Sequence, residues 1–128
     1  MKQSVAAGAI AAIFLLSATG YAGAADVKAG SRVFNKCKSC HSLTAGKNLI
    51  GPSLAGLFGR TAGTAAKYNY SSAMKKAGAG GLVWSEETLL KYLASPREFV
   101  KGNKMTFVGL KKESERENII AFLKEAAK

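Results

Sequence analysis

Cys37-Lys38-Ser39-Cys40-His41 decides how the rest of this chain is read. Two cysteines separated by two residues on a helical turn bring both thiols to one side, and a histidine directly after them can turn its imidazole the same way. C-x-x-C-H is the attachment signature of haem c, in which the thiols add across the two porphyrin vinyl groups and the histidine lies beneath the iron. A thioredoxin-like redox pair also uses C-x-x-C, but it wants a βαβ context that this sequence lacks. A zinc site needs two further Cys or His ligands, and the chain holds two Cys and one His in all. In an exported protein the two thiols would otherwise be read as a structural disulfide, and the spacing with His41 argues for haem instead.

Working outward, a helix is expected from about Val27 to Lys38, with Gly30, Val33, Phe34 and Cys37 on one face. A glycine inside a helix costs up to ~1 kcal/mol against alanine, so Gly30 points to another backbone coming close. The partner is the tail, where Ser114-Glu115-Arg116-Glu117 reads as a capping box before Ile119, Ile120, Phe122, Leu123 and Ala126 at helical spacing. The first and last helices are therefore expected to pack crosswise. A third helix is expected from Glu86 to Ala94, capped by Ser85, favoured by Glu86 and Glu87 at its positive end and stopped by Pro96. A short helix from about Ser71 to Ala77 is expected before a Gly78 to Gly81 turn. No segment alternates like a strand, so the fold reads as all-α, three to five helices with long loops. Loops of that length suit a compact domain only if they wrap something, and a haem can serve as their core.

The first 25 residues differ in kind. They run from a basic start at Lys2 through an apolar stretch, Val5 to Leu16, into Ala22-Gly23-Ala24-Ala25, the pattern of a signal peptide cleaved after Ala24 or Ala25. That apolar stretch is short of the ~20 residues that span a bilayer as a helix. An uncleaved anchor is the competing reading, because no charge separates Lys2 from Asp26. The rest, 26–128, has the length of one domain within a chain of 128 residues, and a hydrophobic fraction of 48% argues against disorder.

With these residues in place, the segment from Gly30 onward resembles a class I c-type cytochrome of the short-chain mitochondrial and bacterial kind, cytochrome c2-like. The likeness rests on Cys37, Cys40 and His41, on Gly51-Pro52-Ser53-Leu54-Ala55-Gly56-Leu57-Phe58-Gly59-Arg60, on Trp84 and Tyr92, and on Lys104-Met105-Thr106-Phe107. It implies the small cytochrome c fold, with Gly30, Phe34, Ile119 and Phe122 in the packed terminal helices. It implies one haem c bound through Cys37 and Cys40, with the Pro52 carbonyl holding the His41 imidazole. For the sixth iron ligand the residues alone leave methionines, lysines or an open position; Met1 leaves with the leader and Met74 sits in a helix as packing. The resemblance places the axial ligand at Met105. Trp84, Tyr70, Tyr92, Phe58 and Phe107 are the expected shell of the haem, the resemblance further implies that Arg60, Tyr70 and Trp84 neutralise a propionate, and Asn103 is expected to donate to a propionate. Lys101 stands where the family commonly has Pro and Asn103 where it commonly has Thr, so the Met105 loop is expected to be less rigid. Lys101 and Lys104 are possible substitute ligands at alkaline pH.

An iron held by His41 and Met105 has no position for a substrate, so the implied role is a high-potential electron carrier, not an enzyme. A small haem peroxidase and a haem-based sensor are the readings from other classes, and both need an open sixth position. The formal charge of +11 comes from 19 Lys and Arg against 8 Asp and Glu. Nucleic acid is set aside, because an exported chain rarely meets it and no recognition motif is present. Lys36, Lys38, Arg97, Lys101, Lys104, Lys111 and Lys112 are instead expected to ring an exposed haem edge. The partners so implied are acidic docking faces of a bc1-type reductase, a terminal oxidase, a photosynthetic reaction centre or a periplasmic dehydrogenase. The expected form is a monomer in a bacterial periplasm, with no stable membrane insertion after cleavage.

Overall fold

Helix α1, Val27–Val33, starts at Asp26, whose carboxylate accepts the Ala29 N–H at 3.0 Å and supplies the cap that the first turn needs. The computed structural model describes residues 24–128, so the expected leader, apart from Ala24 and Ala25, lies outside the described residues. After α1 the chain tightens into a 3-10 turn, Phe34–Lys36, and does not continue as the α-helix to Lys38 that periodicity suggested. The Cys37 N–H bonds to Phe34 O at 2.8 Å, an i to i−3 closure that turns the following residues inward.

Helix α5, Glu113–Ala126, crosses α1 at Gly30. A Cβ on Gly30 would fall 2.6 Å from the Asn118 carbonyl carbon and 2.8 Å from Phe122 Cβ, so only glycine permits the approach. One helical turn further, the Phe34 and Phe122 rings pack at 5.4 Å between centroids. Helix α5 begins earlier than the capping box foresaw. Lys112 is its N-cap without a side-chain bond, and Ser114 lies within the first turn. Arg116 sets the entry instead, donating from Nη1 to Leu110 O at 2.6 Å and Lys111 O at 3.1 Å.

Between these helices lie α2, Ser72–Ala79, α3, Glu86–Ala94, and α4, Pro96–Phe99. Ser71 caps α2, which runs past the expected Ala77 because Gly80 N still closes on Lys76 O at 2.9 Å. Ser85 and Thr88 form a reciprocal capping box at the head of α3. Pro96 ends α3 and then opens α4 from its first turn, where a missing N–H costs nothing. Among the described residues the extended pairing is a single antiparallel bridge, Thr61 with Val83, flanked by Ala62 N to Leu82 O and Trp84 N to Arg60 O, both 2.9 Å. Such bonds satisfy loop backbone that has no ladder to join.

Gly30→Ala should lower stability by about 1–3 kcal/mol, the range for overpacking a tight contact. Thermal unfolding of the purified protein checks it; an unchanged melting temperature would show that α1 and α5 can separate without cost.

Candidate haem centre

Two tight turns in succession place the signature residues. Phe34 O accepts from Cys37 N and Lys38 N, and Cys37 O accepts from Cys40 N at 3.0 Å and His41 N at 2.9 Å. Cys37, Cys40 and His41 thereby enter the wall of one cavity of about 450 Å³, within the range of small-molecule and cofactor sites, roughly 300–1,000 Å³. Both thiols are free, so the cysteines do not form a disulfide with each other. Burial, with Cys40 beside it, pushes the Cys37 thiol up to about 11, which keeps it protonated at neutral pH.

The imidazole of His41 has a defined tautomer. A carbonyl only accepts, so the 2.8 Å contact between His41 Nδ1 and Pro52 O requires the proton on Nδ1. Burial, the dominant cause, lowers the His41 pKa from the usual histidine value, and the Arg60 charge acts in the same direction against the opposing Pro52 bond. The ring is neutral, and Nε2 keeps its lone pair for a metal. Gly51 makes this placement possible: a Cβ there would lie 2.5 Å from His41 Cε1 and 2.8 Å from Nδ1. Its amide also donates to Cys40 O at 2.7 Å, fixing the loop to the signature turn. Sequence reasoning gave Gly51 no role, although a glycine directly before Pro52 was the available signal.

Met105 lines the same cavity from the loop after α4. Tyr92 donates its hydroxyl to Met105 Sδ at 3.2 Å. Burial holds the Tyr92 phenol far above its ordinary pKa, so this donor stays protonated. Trp84 packs on Tyr92 with ring centroids 4.8 Å apart, and both are buried in the cavity wall. Met74, expected as helix packing, is buried and also reaches the wall.

Arg60 donates from Nη1 to Ser53 O at 3.1 Å and Ala55 O at 3.2 Å, while its buried Nε has no protein partner. A buried guanidinium with an orphaned N–H at a cavity suits an anionic group. Tyr70 accepts the Ala65 N–H at 3.1 Å, which leaves its own O–H to donate. Tyr68 stacks edge-on against Tyr70 at 4.7 Å and donates to Ile50 O at 2.9 Å; the sequence reading overlooked it. Apolar walls, two thiols, a neutral imidazole and an orphaned cation together fit a haem with its two propionates.

Two expectations need correction. Phe58 packs against the core but does not reach the cavity wall, whereas Phe107 does. Asn103 is at the wall, but its Nδ2 already donates to Pro96 O at 2.7 Å and Val100 O at 2.8 Å, so neither N–H remains for a propionate.

An all-α fold that carries a C-x-x-C-H turn in the wall of an apolar cavity defines a covalent haem protein. The family model described as "Cytochrome c" matches residues 27–127, and the chain belongs to the cytochrome c family. Cytochrome c2 from Agrobacterium tumefaciens (strain II Chrys) is 48% identical over 99 residues, covering 77% of this chain and 89% of that protein. Cytochrome c from Arabidopsis thaliana is 45% identical over 105 residues, covering 80% and 91%. The structure of ferricytochrome c2 from Rhodopseudomonas palustris superposes with a TM-score of 0.73 at 40% identity, covering 79% of this chain and 98% of that one. Members of the family are electron carriers, not enzymes, and bind one covalently attached haem c, for which Cys37 and Cys40 have the spacing.

Gly51→Ala should drive the imidazole off Pro52 O. The measurement is the His41 Nδ1–H proton resonance of the holoprotein, which should shift or be lost together with a fall in melting temperature; retention of both would mean the ring tolerates a Cβ there.

Proposed function

We propose that this chain is an exported periplasmic carrier whose single haem is joined to Cys37 and Cys40 and whose iron is held between His41 and Met105. The observation that carries the reading is that one cavity wall holds both a neutral imidazole, fixed by Pro52, and a thioether, fixed by Tyr92. When bound, the haem supplies a one-electron Fe2+/Fe3+ couple, and a thioether ligand favours the ferrous state. The chain's own residues do the rest. Pro52 and Tyr92 hold the two donors in place, which keeps reorganisation small between oxidation states. Arg60, Tyr70 and Trp84, all in the cavity wall, would neutralise a propionate, and the apolar wall would exclude water. With both donors engaged the site offers no place for peroxide or a gas, which sets the carrier apart from a peroxidase or a sensor.

Export rests on the leader pattern, Lys2 to Ala25, with the mature chain starting at Ala25 or Asp26. Among the described residues no helix is long and apolar enough to cross a membrane. The partners are redox proteins with acidic faces, of the reductase, oxidase, reaction-centre or dehydrogenase classes. Charge supports this: from Val27 to Ser85 the chain carries no Asp or Glu. Lys36 and Lys104 stand exposed at the cavity wall. Both are partly engaged, Lys36 Nζ at 3.6 Å from Glu115 Oε1 and Lys104 Nζ donating to Asn69 O at 2.6 Å. Lys38, exposed between the two signature cysteines and in no ion pair among the described residues, is the cleaner probe of charge beside the site.

Extraction of the holoprotein with acidified acetone should leave the haem on the polypeptide, because thioether bonds resist what strips a merely ligated haem. A colourless polypeptide would overturn the attachment. The bimolecular rate with an acidic redox partner should fall steeply beyond ~0.1 M salt, where the Debye length is about 10 Å. Stopped-flow kinetics should show Lys38→Glu slowing that rate more than Lys128→Glu; equal effects would mean that net charge alone governs the encounter.

A further inference from the structure

Residues 100–112, between α4 and α5, have no helix or strand to fix them, and Gly102 in that stretch has φ +90. Lys101 gives no proline restraint. The densest knot of bonds in this stretch is on one side chain. Asn103 Oδ1 accepts the Met105 N–H at 2.8 Å, and Nδ2 donates to Pro96 O at 2.7 Å and Val100 O at 2.8 Å. Asn103 N also donates to Val100 O at 3.1 Å. Pro96 and Val100, one at each end of α4, are buried, so the anchor is firm.

A neutral amide offers two donors and an acceptor on one short stem, and this site uses all three. A hydroxyl has one donor, and a carboxylate would face two carbonyl oxygens. From the other side, Phe99 of α4 meets the Tyr92 ring edge-on at 6.0 Å, and Tyr92 holds the Met105 sulfur. The Met105 backbone is thus tied through Asn103 to α4 and its sulfur to Tyr92 of α3, and the Phe99 contact couples the two supports.

We infer that Asn103 is the positioning residue for Met105: it clamps the Met105 amide to both ends of α4, so that the sulfur is presented to the iron from a rigid mount. The inference rests on Met105 as the axial ligand. It assigns Asn103 to the backbone and not to the cofactor, and it gives this chain a substitute for the missing proline at Lys101.

The test is imidazole binding to the ferric holoprotein at pH 7, where added imidazole must displace the sulfur. Asn103→Ala should bind imidazole about tenfold more tightly, the order set by losing one or two net hydrogen bonds. Asn103→Asp keeps the acceptor and loses both donors, and should behave alike. Asn103→Thr, with one donor and one acceptor, should fall between these and the native protein. Ile120→Val, buried but outside the cavity wall, should lower the melting temperature and leave imidazole affinity unchanged, separating a positioning effect from general loosening. If Asn103→Ala does not assemble with haem, the Asp and Thr variants decide. Native affinity in the Asn103 variants, or an increase no larger than in Ile120→Val, overturns the inference. Met105→Ala distinguishes the two levels: tighter imidazole binding there with none in the Asn103 variants refutes the positioning role alone, whereas native affinity in Met105→Ala refutes the ligation on which it stands.

Discussion

The crossing of α1 and α5 at Gly30 is the fixed point on which the site depends. Because the Gly30 backbone meets Asn118 directly, the helices approach closely enough for Phe34 to reach Phe122 and for Ile119 and Leu123 to face the cavity. The 3-10 turn that follows α1 then has one direction available, and Cys37, Cys40 and His41 turn inward. Asp26 N donating to Asn118 Oδ1 at 2.8 Å secures the same crossing from the chain's other side. A local motif becomes a cofactor site only because a long-range contact aims it.

Much of this was legible in the sequence, for reasons that differ by element. The signature carries its geometry in its spacing, and Gly30 betrays a close approach because its cost must be offset by packing. Helix α3 fell on its expected bounds because Ser85 and Pro96 mark both ends chemically. What the sequence hid was set by tertiary hydrogen bonds. The start of α5 is fixed by Arg116 reaching back to two loop carbonyls, not by Ser114. Asn103 looks like a polar residue facing a polar group until its acceptors, Pro96 O and Val100 O, are seen. Phe58 and Phe107 are indistinguishable as aromatic residues, and only the path of each loop decides which one meets the cavity.

The loops are held one bond at a time. Gly59 N donates to Trp84 O, Gly56 N to Ala127 O and Leu110 N to Leu93 O, at 2.8, 2.8 and 2.7 Å. Each tie fixes a loop to a helix or to the bridge, so the wall of the cavity is assembled from anchored points with exposed chain between them. That construction keeps the two proposed donors to the iron on separate supports, His41 on the Gly51–Pro52 loop and Met105 on the α4 side.

The bond from Lys104 to Asn69 O gives one residue two unlike duties, since the same ammonium fastens two loops and contributes charge at the rim. Sequence change at position 104 is therefore constrained twice. A neutral residue there would lower the charge at the cavity wall and also unfasten the loop at 69. Lys38 has no such tie, so charge beside the site can change more easily at the signature's own variable positions than in the loop that carries Met105.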